Sequence, residues 1–181
     1  WFYEGAYQLA FAGRPSTVRL GGAYHFGRFD DLAALAAGTA AEVRGLYSFY
    51  VIQDLVLLQL EPDQPQLAAF GRVGLSPQQD RSIVHAYADA GFSWFGPIPG
   101  RAADVAGLAV SCTQFGHAYR AGPGAEALAA AETTVELTYR AQLTATFAVQ
   151  VDVQRLYRPA PDVTGHRHPA TVLGLRVEVS L

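Results

Sequence analysis

The sequence contains no lysine, no asparagine and no methionine. All 13 basic residues are therefore arginine, a bias that fits a G+C-rich genome, and the missing initiator methionine reads as a processed or truncated start. A single cysteine, Cys112, excludes an internal disulfide framework and is read as a small apolar filler. Charged residues make up only 16% of the chain and the net charge is −3, which argues against nucleic acid as a partner. No apolar run approaches the roughly 20 residues of a membrane-spanning helix, so such a chain can enter a membrane only as a closed barrel.

What the sequence has instead is period-two alternation. From Glu132 to Leu143 every even position is polar or charged and nearly every odd one is apolar, the pattern of a β-strand with one wet and one apolar face. Thr146 to Gln154 repeats it in the same parity across a very short turn. Residues directly opposite in an antiparallel pair share a face, so even must pair with even, and a three-residue loop Thr144 to Thr146 closed by Leu143 opposite Phe147 satisfies this.

The same reading gives strands at Trp1 to Phe11, Thr17 to Phe26, Tyr47 to Leu60, Leu67 to Leu75, Ile83 to Phe95, Ala106 to Phe115 and Thr171 to Leu181, nine with the hairpin. Gly13-Arg14-Pro15-Ser16 reads as the first turn. In the third strand Gln53 and Asp54 are adjacent and cannot both face the wet side without a bulge; Asp54 is placed inward. Asp30-Asp31 before an Ala/Leu run ending at Gly38 predicts a short loop helix. Counting from Gly13, odd connections are compact and even ones mostly long, as expected of short periplasmic turns and longer extracellular loops. Aromatics fall near both rims: Tyr24, Phe26, Tyr47, Phe49, Phe115 and Tyr157 near one, Phe11, Trp94, Phe95 and Phe147 near the other. The fold class expected is all-β, a transmembrane antiparallel β-barrel, with residues 1–181 in one barrel domain and no separate second domain.

Several motifs carry a resemblance. Gly45-Leu46-Tyr47, Phe70-Gly71-Arg72-Val73-Gly74, Ser76-Pro77-Gln78-Gln79-Asp80-Arg81 and Tyr87-Ala88-Asp89-Ala90-Gly91 come first. Gly96-Pro97-Ile98-Pro99-Gly100-Arg101, Asp104, Gly107-Leu108-Ala109-Val110, Glu136 to Leu143 and Val172 to Arg176 follow in order. From about Gly45 onward the chain resembles the C-terminal half of the carbohydrate-selective porins of the OprB family. The resemblance implies nine strands of a sixteen-strand porin in the outer membrane of a Gram-negative bacterium. It also implies passive diffusion of small sugars, a homotrimer, contact with outer-membrane lipid and lipopolysaccharide, recognition by the outer-membrane assembly machinery, and no cofactor. Family members typically end in an aromatic residue, and Leu181 departs from that.

In such a wall the polar face lines a water-filled lumen. It offers Glu4, Arg19, Arg72, Tyr87, Asp89, Glu136, Arg140, Asp152, Arg176 and Glu178 as candidate substrate-binding residues, with His25 and His85 among them. Arginines and carboxylates supply directed hydrogen bonds to hydroxyls, and an aromatic face packs on the C–H side of a pyranose. The mixed charge argues against strong ion selectivity. Catalysis is not expected: His85 and Asp89 are four apart on one strand, roughly 13 Å, and no Gly-x-Ser-x-Gly elbow occurs. His166-Arg167-His168 reads as solvated loop rather than a metal site. Two other readings stay open: a non-transporting structural or assembly subunit of the cell envelope with a porin-like barrel, and a soluble β-sandwich binding module.

Overall fold

The computed structural model describes residues 1–61, 64–122, 129–158 and 168–180. They form one antiparallel sheet of nine strands: β1 (Phe2–Phe11), β2 (Arg14–Asp30), β3 (Glu42–Glu61), β4 (Gln64–Leu75), β5 (Val84–Phe95), β6 (Val105–Phe115), β7 (Ala131–Thr144), β8 (Phe147–Tyr157) and β9 (Ala170–Val179). Each strand pairs with its neighbours in sequence, so the sheet is a plain up-and-down meander. Two short helices, α1 (Leu32–Ala36) and α2 (His117–Ala121), lie in connections at the same rim. Among the described residues no helix is long and apolar enough to cross a membrane.

The alternation in the sequence becomes a partition of the sheet. One face carries Leu20, Val51, Val73, Leu108, Leu137, Val153 and Leu173, which lie on one side by their direct cross-strand pairings. No described residue covers this face: Leu173 and Leu175 are 77% and 72% exposed. The only buried hydrophobic residues among those described are Ala118, Ala129 and Ala148, so a soluble sandwich, which needs a second sheet against the first, is not formed. On the same face, Phe49, Val51, Val73, Leu75, Ala86, Ala88 and Cys112 line a trough of about 420 Å³.

Several expectations meet the structure directly. Asp31 caps α1, accepting from the amides of Ala33 at 2.9 Å and Ala34 at 3.1 Å, and Gly38 follows with φ +77°, as the Asp-Ala/Leu-Gly sequence predicts. On the apolar face Tyr24, Tyr47 and Phe49 gather at one rim, with Tyr47 and Phe49 5.6 Å apart edge to face; Phe11, Trp94 and Phe147 lie toward the other. Gln53 and Asp54 point to opposite faces with unbroken pairing there, Asp54 on the polar side.

Others are corrected. The hairpin keeps the expected even-to-even ladder through Gln142 opposite Ala148, but a bulge at Leu143 lets Thr144 pair with Phe147, leaving a two-residue turn. The first reversal is Ala12-Gly13, with φ of 50° and 75°, tighter than the turn expected on Gly13 to Ser16; Pro15 falls inside β2 opposite Ala10, next to where pairing with β3 begins. Strands β2 and β3 run beyond their expected ends at Phe26 and Tyr47, with a register shift between His25 and Arg28. The contrast in connection length is incomplete: Gly96–Asp104, at the rim of tight turns, is as extended as Ser76–Ile83 at the other. The expectations for His166-Arg167 and for Leu181 lie outside the described residues.

Candidate functional site

Because paired residues share a face, the register sorts the polar candidates without further assumption. One row runs Glu4, Gly21, Tyr50, Gly74, Tyr87 from β1 to β5. The next runs Arg19, Ile52, Arg72, Asp89, Ser111 from β2 to β6. Farther along, Glu136 stands opposite Gln154, Arg140 opposite Gln150, Asp152 opposite Gly174, Gln150 opposite Arg176 and Ala148 opposite Glu178. All ten candidate residues therefore share the face opposite the apolar one.

The densest contacts join β4 and β5. Arg72 Nε donates to Asp89 Oδ1 at 2.8 Å and Oδ2 at 3.0 Å, its Nη2 also binds Oδ2, and the Tyr87 hydroxyl donates to Oδ2 at 2.9 Å. The Asp89 side chain is only 4% exposed, which this saturation permits. The Arg72 guanidinium also sits over the Phe70 ring, 5.2 Å from its centroid. Arg19 pairs with Asp54.

Two contacts reach across an intervening strand, and in both the strand between offers a small residue. Tyr50 on β3 donates to Glu4 Oε2 on β1 at 2.6 Å, passing over Gly21, where a Cβ would collide with the Tyr50 ring. Arg140 on β7 donates through Nε to Glu178 Oε2 on β9 at 2.9 Å, beside Ala148 of β8. Asp152 accepts from Gln154 Nε2 at 3.5 Å. Glu136 and Arg176 have no side-chain partner among the described residues, so the face mixes self-neutralised pairs with free groups.

Two rim motifs turn out to be joints. In the β4–β5 connection, Gln78 Oε1 accepts from the Tyr47 amide and Gln79 Oε1 from the His117 amide, both at 2.8 Å. Arg81 Nη1 donates to the carbonyls of Arg44 at 2.8 Å and Gly45 at 2.9 Å while its Nη2 holds Asp80 at 2.6 Å. The Leu32 amide donates to the Asp80 carbonyl at 2.7 Å. One loop thereby fastens α1, the start of β3 and α2.

At the opposite rim Asp104 is 1% exposed. It accepts from Arg101 Nη2 at 3.0 Å and the Gln142 amide at 2.9 Å, and also from Arg101 Nε and the Tyr139 hydroxyl. The Arg101 bonds hold its carboxyl down to about 2, against burial, with help from Tyr139 and the Gln142 amide.

Sequence reading missed Tyr50 as the partner of Glu4, and the joint-forming roles of Gln78, Gln79, Arg81, Arg101 and Asp104. Their motifs were visible; what they hold was not, because every partner is more than 30 residues away except within Arg101–Asp104 and Asp80–Arg81. His85 and Asp89 do not meet: His85 Nδ1 lies 3.1 Å from the Ser76 carbonyl, while Asp89 is engaged by Arg72 and Tyr87. No group of three potential metal ligands occurs among the described residues.

The family model for the carbohydrate-selective porin, OprB family, matches residues 10–181. The high-pH structure of Pseudomonas putida OprB is similar in fold, with a TM-score of 0.78 and 19% sequence identity. The match covers 98% of this chain and 47% of that one, so the chain spans about half the length of the porin it resembles. No curated protein matches the chain. The sheet is thus a run of porin-barrel wall, and the chain belongs to the carbohydrate-selective porins of the OprB family.

Proposed function

We propose that the chain forms part of the wall of an outer-membrane porin that passes small hydrophilic solutes by passive diffusion and favours carbohydrates. The observation that carries this reading is the partition of the sheet: one face exposes leucine, valine and aromatics, and the other gathers all ten candidate polar residues. Such a sheet suits hydrocarbon on one side and water on the other. In hydrocarbon, the outer edges of β1 and β9 would leave backbone groups unpaired, so we place further strands beside them, for which a sixteen-strand barrel would provide. The mixed pairs Arg19–Asp54, Arg72–Asp89 and Arg140–Glu178 leave little net field along the lumen, which suits a neutral solute.

The test is liposome swelling with the intact protein, comparing glucose, larger oligosaccharides and a small amino acid. Faster entry of glucose than of the amino acid is expected; equal rates would remove the sugar preference, and no entry would leave the structural-subunit reading. Contact between protomers is placed at Ala86, Ala88 and Ala90, whose small side chains let two walls approach closely. Crosslinking in mild detergent that returns only monomers would overturn that part.

A further inference from the structure

The polar face is not uniformly filled. A hollow of about 140 Å³ opens between β4 and β7, lined on this face by Phe70, Ser93, Gly107, Ala109, Glu136 and Thr138. Its long row runs Phe70, Gly91, Ala109, Glu136 on successive strands. At ordinary strand spacing the backbones of Phe70 and Glu136 stand roughly 14 Å apart, with only glycine and alanine between. The Phe70 ring occupies the space a Gly91 side chain would take, 2.7 Å from where that Cβ would lie. Thr138 likewise leans over Gly107, where a Cβ would stand 2.6 Å from its Oγ1.

The polar groups of the hollow are used differently from those of the cluster on β4 and β5. Arg72, Asp89 and Tyr87 satisfy one another, whereas Ser93, Glu136 and Thr138 make no side-chain hydrogen bond to any described residue. We propose that this hollow is a docking site for one pyranose ring. The proposal rests on the carbohydrate reading above and assigns that reading a place.

The chemistry converges on an amphipathic ring. The two oxygens of Glu136 accept from vicinal hydroxyls, Ser93 and Thr138 donate or accept, and Phe70 meets the apolar C–H side, its ring steadied by Arg72. A bare metal cation would use one carboxylate and waste the aromatic wall. An apolar solute would leave three polar side chains unpaired.

The test measures glucose flux through the intact protein in proteoliposomes as a function of concentration, with a small amino acid as size control. Two variants probe the hollow: Glu136→Gln, which keeps shape and removes charge, and Ala109→Leu, which fills the floor. Heat-modifiable gel mobility verifies that both barrels fold. The half-saturation concentration for glucose is expected to rise about tenfold in Glu136→Gln, and saturation to be lost in Ala109→Leu, with amino-acid flux changed far less. Wild-type half-saturation in both variants would overturn the site while leaving the porin reading intact. Absence of sugar flux in the unmodified protein would overturn both.

Discussion

Arg72 and Asp89 stand directly opposite each other on β4 and β5, and the guanidinium spans both carboxylate oxygens. The pair is asymmetric in burial: the Arg72 side chain is 48% exposed and the Asp89 side chain 4%. Asp89 therefore depends on Arg72 more than Arg72 depends on Asp89.

Replacing Arg72 with leucine leaves a buried carboxylate with Tyr87 as its one remaining donor. A loss of about 2 kcal/mol is expected, below the range for a fully buried pair because Arg72 is half in water. The double variant Arg72→Leu/Asp89→Leu should recover most of it, since no charge is then stranded. Urea unfolding from lipid vesicles reads both; equal losses in the single and double variants would refute the account.

Asp104 sets a pH dependence at the opposite rim. Its folded value of about 2 lies below the ordinary 3.8, so the unfolded chain takes up the proton first as pH falls. The stabilisation it provides is complete above about pH 4 and disappears as pH drops toward 2. The stability difference between wild type and Asp104→Asn, followed from pH 7 to pH 2, should be constant and then close across that window. A difference that persists unchanged at pH 2 would be inconsistent with this.

The β4–β5 loop predicts coupled release. Arg81→Ala removes two bonds to the carbonyls of Arg44 and Gly45, and Gln79→Ala frees the His117 amide. Each should cost about 1–2 kcal/mol locally. Hydrogen exchange should quicken at amides 42–47 in the first variant and 117–121 in the second, while amides in the middle of β7 stay protected.

The two faces predict opposite tolerance to charge. Leu137→Arg, on the apolar face and 58% exposed, should impair insertion into bilayers by about 2–4 kcal/mol if it sits near the midplane. Thr134→Arg, on the polar face of the same strand, should be accepted with little change. Equal folding yields of the two variants in vesicles would contradict the assignment of faces.

Much of this was legible in the letters. Alternation placed nine strands and the face of every candidate residue, because a side-chain period of two needs no partner to be read. β3 was harder: Tyr50, Ile52 and Val56 lie on the same face as Asp54, so both faces of that strand look apolar, and only pairing with β2 and β4 fixes its register. The loops hid more. Gln78, Gln79 and Arg81 bond to backbone groups 31 to 38 residues away, and backbone groups leave no mark in a sequence. The hollow at Glu136 was equally invisible, since it is defined by small residues of β5 and β6 and by Phe70 of β4.

The trough beside Phe49 and Leu75 holds the chain's only thiol. Cys112 on the apolar face makes the wall its own depth gauge, with no engineered label required. With the protomers dissociated, a hydrocarbon-soluble maleimide should reach it in intact vesicles and a charged, membrane-impermeant one should not, whichever side it is added from; in the assembled oligomer the contact placed at Ala88, its direct partner on β5, would shield it from both. The same thiol, once tagged with a fluorophore quenched by brominated acyl chains, would register how deeply the last paired residues of β6, before the rim that carries α2, sit in the bilayer.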